Sequence, residues 1–292
     1  METQTENRDR TRLGTVLVLL SAALFSTGGA VLKLVPWQAL TINGARNLVA
    51  ALVLSAYMVL TRHRVRANPT VLLGAFSFAG VTSLFVLANK MTSAANAIIL
   101  QYTCPVWIIL IMALFFHERP SRRDLVTVAL VFAGILCFFF DSLTGGSPAG
   151  DLIAVLSGIF YAGVFLMNTF EDGDAISSIL IGQAVSAVLF LPGIRNETDF
   201  SPLVLGAVLF LGVFQVGAAY ICLAQGTKHI SAVRASIIGS IEPILNPALV
   251  ALVWHETLPP LSLIGAVIVI GAVAASQVWK EREKEEKSRP PG

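Results

Sequence analysis

Residues Ser93–Glu118 read SAANAIILQYTCPVWIILIMALFFHE, and residues Ser231–Glu256 read SAVRASIIGSIEPILNPALVALVWHE. Laid together without a gap, Ser93–Ala94 meets Ser231–Ala232, Pro105 meets Pro243, and His117–Glu118 meets His255–Glu256. Three anchors in one register mark an internal duplication, and the same register pairs Lys90 with Lys228. Each copy carries an apolar run of roughly 20 residues, enough for a helix to cross the hydrocarbon core of a bilayer. Proline has no N–H and displaces the carbonyl four residues earlier, so both runs are expected to kink. The carbonyls freed in this way, at Gln101 and Gly239, are expected to face substrate or water.

Apolar runs of spanning length recur ten times. The first five are Leu13–Leu34, Ala39–Leu60, Thr70–Ala88, Ser93–Phe116 and Leu125–Phe140. The second five are Asp151–Phe170, Ala175–Leu191, Pro202–Leu223, Ser231–Trp254 and Leu261–Val278. In lipid every backbone polar group must be satisfied within its own segment, which makes these runs helices. Composition agrees: 55% of the 292 residues are hydrophobic and 13% charged, against about 25% charged in a soluble domain. Mean hydropathy is +0.76. A soluble globule of this size needs more polar surface than the chain can supply.

The basic residues set the expected orientation. Of 20 Lys and Arg, fifteen fall on one side: three each in Arg8–Arg12, Arg62–Arg66 and Arg119–Arg123, then Lys228 and five in Lys280–Arg289. Lys33, Lys90 and Arg195 fall on the other side, and Arg46 and Arg234 lie within spans. Both termini are therefore expected in the cytoplasm, in a multi-pass protein of the cell membrane. The turn-forming segment DSLTGGSPAG, residues 141–150, joins the fifth run to the sixth. The expected organisation is a tail (1–12), a five-helix half (13–140), a loop (141–150), a second half (151–278) and a charged tail (279–292). Five spans per half place the second half upside down relative to the first, an arrangement recurrent in transporters.

Several chemistries find no support. Cys104, Cys137 and Cys222 lie in apolar runs without paired spacing, as small buried hydrophobes do. Neither His-Glu pair has a second histidine one turn on, so neither is a zinc motif. No glycine-rich phosphate loop is present, and the tail KEREKEEKSR is mixed in sign rather than a nucleic-acid patch. No cofactor or metal is expected. An intramembrane enzyme acting on a lipid-linked substrate is the alternative class. It would gather His, Asp or Glu at one membrane face, whereas the four histidines here stand near separate span ends.

The stretches Thr92–Pro120 and Ser231–Glu256, with INGARNLVAAL around Arg46 in the second run, resemble the drug/metabolite transporter superfamily and its EamA-like exporters. The resemblance runs from about Leu13 to Val278. It implies an all-α membrane protein of ten helices in two inverted five-helix repeats. It also implies a central cavity lined mainly by spans one, three, four, six, eight and nine, working by alternating access.

Charged and polar residues inside spans are the candidate site. A charge at the bilayer centre costs about 2.5–3.5 kcal/mol on insertion scales. Arg46, in line with Asn43 and Asn47 on one helical stripe, therefore either organises a gate or binds an anionic group, or bridges structurally to backbone carbonyls or a helix end near the outer interface. Arg234, at the start of the ninth run, reads as interfacial. Glu242 is the one acidic residue deep in a run, beside Pro243 and sharing a face with Gly239 and Asn246. It is a candidate for proton coupling, for cation binding, or for fixing a kinked helix. Gln101, Tyr102 and Trp107 surround Pro105, while Tyr161 and Asn168 share a face with Ser157. Ser26, Thr27, Gln183, Gln215 and Tyr220 complete a largely neutral polar and aromatic set. Such a cavity suits an amphipathic or zwitterionic small molecule. The expected function is secondary active or facilitative transport, as an exporter, of an amino acid or related compound. The expected partners are that substrate, the lipid bilayer and a coupling proton.

Overall fold

The computed structural model describes residues 2–92, 94–118, 120–140, 147–254 and 260–288. All regular elements among its described residues are helices. The first half holds α1 (Glu2–Ser26), α2 (Gly28–Leu32), α3 (Ala39–Leu60), α4 (Pro69–Met91), α5 (Ala94–Gln101), α6 (Cys104–Phe115) and α7 (Arg122–Phe139). The second holds α8 (Pro148–Leu166), α9 (Ala175–Phe190), α10 (Pro202–Phe210), α11 (Ala219–Gly226), α12 (Ala232–Gly239), α13 (Glu242–Trp254) and α14 (Pro260–Ser288). A π-helical stretch, Leu211–Ala218, joins α10 to α11 without a break.

Local chemistry starts these helices. Asn68 and Ser147 each accept a backbone N–H of the first turn and are followed by Pro69 and Pro148 at the first helical position. Ser121, Asp174 and Ser231 cap α7, α9 and α12 in the same way. Such caps satisfy donors that a helix N-terminus leaves open, and proline there loses no hydrogen bond.

Packing inverts the soluble pattern. Val59, Leu114, Phe115, Val188, Leu252 and Val267 all point outward, each 70–77% exposed. Asn43, Asn47, Ser157, Ser177 and Gln183 are fully buried. Apolar side chains outside and polar ones between helices are the mark of a bundle solvated by lipid. Eight helices or near-continuous helix pairs among the described residues are long and apolar enough to cross a membrane. The two remaining runs differ from the sequence expectation for identifiable reasons. α7 opens on Arg122, Arg123 and Asp124, which take up its first turn. The apolar part of α14 is the short stretch Leu263–Ser276. These two helices pack along each other.

Three runs read as continuous are broken. The first stops at Thr27, where Ser26 and Thr27 hydroxyls donate to the Ala22 and Leu24 carbonyls at 2.6 and 2.7 Å. The fourth breaks at Tyr102–Thr103 and the ninth at Ser240–Ile241, which occupy the same register in the two copies. At each break a hydroxyl returns to the preceding helix: Thr103 to the Leu100 carbonyl at 2.6 Å, and Ser240 to the Ser236 carbonyl at 2.9 Å. Neighbouring hydroxyls thus meet backbone groups that lipid would leave unpaired. The second anchor pair, His255–Glu256, lies outside the described residues, as do Arg119, residues 141–146 of the central loop and Arg289 in the tail.

Candidate functional site

The broken helices surround a cavity of about 440 Å³. Its floor lies at the level of the two breaks, and its wall continues along α2 to Lys33. Phe25, Gly28 and Gly29 come from α1 and α2, Arg46 from α3, and Thr82 and Phe85 from α4. Gln101, Tyr102, Tyr161, Gln215, Tyr220, Glu242, Pro243 and Asn246 complete the lining. The size falls in the range of small-molecule sites, about 300–1,000 Å³.

Arg46 lines this cavity. Its Nε and Nη2 donate to Asn43 Oδ1 at 3.2 and 2.9 Å, and Nη1 donates to Gln215 Oε1 at 3.3 Å. Asn47 Nδ2 in turn donates to the Asn43 carbonyl at 2.7 Å and to Asn43 Oδ1 at 3.1 Å. Asn43 and Asn47 are therefore a buried backing for the guanidinium and do not line the cavity. Gln215 reaches Arg46 past Gly28, where a Cβ would sit 2.9 Å from its Nε2.

Across the cavity, Tyr102 Oη donates to Glu242 Oε2 at 2.6 Å. Tyr102 stands in the break of the fourth run and Glu242 opens α13 after the break of the ninth. Tyr161 meets Tyr102 edge-on, with ring centroids 6.3 Å apart. Tyr220 packs edge-on against Phe25 and Phe78, each at 4.7 Å, and lies within electrostatic reach of both Glu242 and Arg46. One cavity thus holds a cation, a carboxyl group and three phenols.

Other sequence candidates lie elsewhere. Gln101 lines the cavity, but its Nε2 donates to Ser157 Oγ at 2.8 Å. Its backbone carbonyl lies against Gly158, where a Cβ would come within 2.7 Å of the oxygen. The expectation that this carbonyl faces substrate is therefore corrected: close packing of α8 covers it. Pro105 is buried in α6, and Trp107 donates to Thr103 Oγ1 at 3.1 Å; neither lines the cavity. Asn168, in the 3-10 turn that follows α8, donates to the Ala224 carbonyl and Thr227 Oγ1 at the end of α11, at 2.7 and 2.8 Å. Arg234, read as interfacial, is 7% exposed within the bundle. Lys33, counted in the sequence as a loop charge, joins the lining because α2 carries it to the cavity wall. Thr82 was missed for want of a polar stripe around it. The lining matches the expected spans and adds the second, through Arg46.

The family model for EamA-like transporters matches twice, over residues 12–140 and 148–276. The chain belongs to the EamA-like transporter family. This transporter is 27% identical over 287 residues to the uncharacterized transporter YwfM of Bacillus subtilis, covering 93% of this chain and 96% of that one. It is 26% identical over 192 residues to the pseudopaline exporter CntI of Pseudomonas aeruginosa, covering 64% of this chain and 67% of the relative. A crystal structure at 19% identity superposes with a TM-score of 0.78, over 92% of this chain and 98% of the other, and shows the shared fold. The protein is a multi-pass membrane transporter, with a small-molecule substrate and lipid as its surroundings.

Proposed function

We propose that the protein exports a small zwitterionic or amphipathic metabolite, an amino acid or a close relative, from the cell by alternating access. The observation that carries this reading is the placement of Arg46 and Glu242 in the lining of one cavity, together with Tyr102, Tyr161 and Tyr220. A carboxylate on the substrate meets Arg46, an ammonium meets Glu242, and the tyrosine rings flank the apolar part. Glu242 is also the site proposed for a coupling proton. The export direction is drawn from the name of the CntI relative.

The architecture proposed with it is ten spans, with α7 and α14 as the fifth and tenth, in two inverted halves with cytoplasmic termini. Three features support it. The family model matches once in each half. The breaks at Tyr102–Thr103 and Ser240–Ile241 share a register. α4 packs along α8 as α11 packs along α1, the pairing that an exchange of halves requires. In that orientation the cavity faces outward, since Lys33 stands at the outer end of the first span.

The test is thermal stabilisation of the purified protein by the proteinogenic amino acids and their decarboxylated amines, because a ligand that prefers the folded state raises apparent stability. The hits are then followed for flux from loaded proteoliposomes. Stabilisation by amino acids, lost in Glu242→Gln, is the expected result. No stabilisation by any member of that panel would overturn the reading.

A further inference from the structure

The hydrogen bond between Tyr102 and Glu242 joins two elements that alternating access must move against each other. Tyr102 belongs to the non-helical link between α5 and α6, and Glu242 is the first residue of α13, just past the link from α12. The links occupy the same register in the two halves. Their flexible points are thus tied, first half to second, by a contact of 2.6 Å across the cavity floor. Gln101, next to Tyr102, is held on Ser157 of α8, and Trp107 on Thr103, so neither reaches α13. Tyr102 is the member of this cluster that reaches across to α13.

We propose that the Tyr102 hydroxyl is a bar on the empty carrier, and that the substrate's ammonium releases it by taking its place on Glu242. This rests on the reading of Glu242 as the cation anchor. A carboxylate oxygen that accepts a short hydrogen bond from a neutral phenol exchanges it for a charge-assisted bond from an ammonium, which is the stronger of the two. The exchange leaves the carboxylate satisfied and frees the phenol, so α13 is no longer tied to the α5–α6 link. Empty carrier with the bar closed reorients slowly, and loaded carrier reorients quickly. Tyr102 is a positioning residue here: it controls when the two broken helices separate, and the ammonium contact itself belongs to Glu242.

Substrate-for-substrate exchange needs only loaded reorientation, whereas net flux also needs the empty carrier to return. The inference therefore predicts that exchange outpaces net flux in the parent. Full-length protein is reconstituted in liposomes with the most stabilising amino acid from the thermal screen, and both rates are measured with labelled amino acid. Tyr102→Phe keeps the ring and its edge-on contact with Tyr161 but removes the bar. A hydrogen bond to a charged group is worth enough to hold an equilibrium about tenfold or more to one side. The ratio of exchange to net flux should fall about tenfold in Tyr102→Phe, with stabilisation by the same amino acid retained.

Glu242→Gln separates the two roles, because its amide oxygen still accepts from Tyr102 while its charge is gone. It should lose both stabilisation and exchange, with no gain in net flux. A parent-like ratio in Tyr102→Phe, or release of net flux by Glu242→Gln, overturns the inference while leaving the transported class intact. Failure of every amino acid and amine to stabilise the parent overturns the functional reading, and this inference with it.

Discussion

Arg46 carries its functional reading in the shape of its support. Two of its nitrogens converge on Asn43 Oδ1 and a third reaches Gln215, a planar fork that a lysine ammonium cannot reproduce. The helical spacing of Asn43, Arg46 and Asn47 made the polar stripe legible in the sequence. Gln215 was not legible as its partner, since that contact depends on the missing Cβ of Gly28, far away in the chain. Arg46→Ala should abolish the preference for an amino acid over its decarboxylated amine, a loss of about tenfold or more in relative affinity. Competition titrations read this directly, and a preserved preference removes Arg46 as the carboxylate site. His117 shows a different kind of legibility. It sits with φ 55°, just past the end of α6, so the first His-Glu pair marks a helix terminus.

A second polar cluster at residue scale ties the two halves together outside the spans. His63 Nε2 and Asp174 Oδ2 are 2.6 Å apart, Ser177 Oγ donates to Asp174 Oδ2 at 2.8 Å, and Asn68 Nδ2 donates to the Asp172 carbonyl at 2.8 Å. Burial opposes the Asp174 charge, but the hydrogen bonds from His63 and Ser177 outweigh it and hold this carboxyl below the ordinary value of 3.8. A value lower in the folded state stabilises the fold at pH above the ordinary value, and that contribution is lost as pH falls through the folded value. Asp174→Asn should therefore lower the melting temperature near neutral pH, and the gap from the parent should close below about pH 4. A gap that stays constant across this range would place the effect of the substitution elsewhere.

At the scale of elements, the breaks were foreseeable and their consequences were not. The prolines at 105 and 243 announced the disturbance, yet the helices part at the two residues before each proline's own turn. The Gln101 carbonyl then meets Gly158 of α8 instead of the cavity. A sequence reading locates a freed carbonyl but not the neighbouring helix that covers it. Gly158→Ala would place a Cβ 2.7 Å from a backbone oxygen that cannot rotate away. Overpacking of this kind should cost about 1–3 kcal/mol. Gly271, where a Cβ meets nothing within 4 Å, is the matched control. There alanine should be neutral or favourable, since glycine is the poorer helix former by about 1 kcal/mol. Unfolding in detergent micelles compares the two, and equal effects would deny the close approach of α8 to the α5–α6 link.

At the scale of the whole molecule, the number of spans decides whether the two halves are inverted, and α7 and α14 decide the number. Among the described residues, eight segments have the length and apolar composition to cross. Were those the only crossings, each half would have four spans and the halves would run parallel. Residues 141–150, after four crossings, would then share a side with both termini. If α7 and α14 also cross, that loop follows five crossings and the C-terminus follows ten, which places them on opposite sides. The basic residues divide fifteen to three either way. Contacts between loops favour the second arrangement: His63 with Asp174, Asn68 with Asp172 and Trp37 with Asp199 each join segments that share a side only if each half crosses five times. The mutual packing of α7 and α14 favours it as well, since each covers an apolar face of the other. A reporter active only in the cytoplasm, fused after Gly292, should be active, and the same reporter inserted in the 141–150 loop should be silent. A reporter active only outside should give the reverse. Both fusions on one side would reduce the bundle to eight spans and remove the inversion, while the family membership, which rests on matches in both halves, would stand.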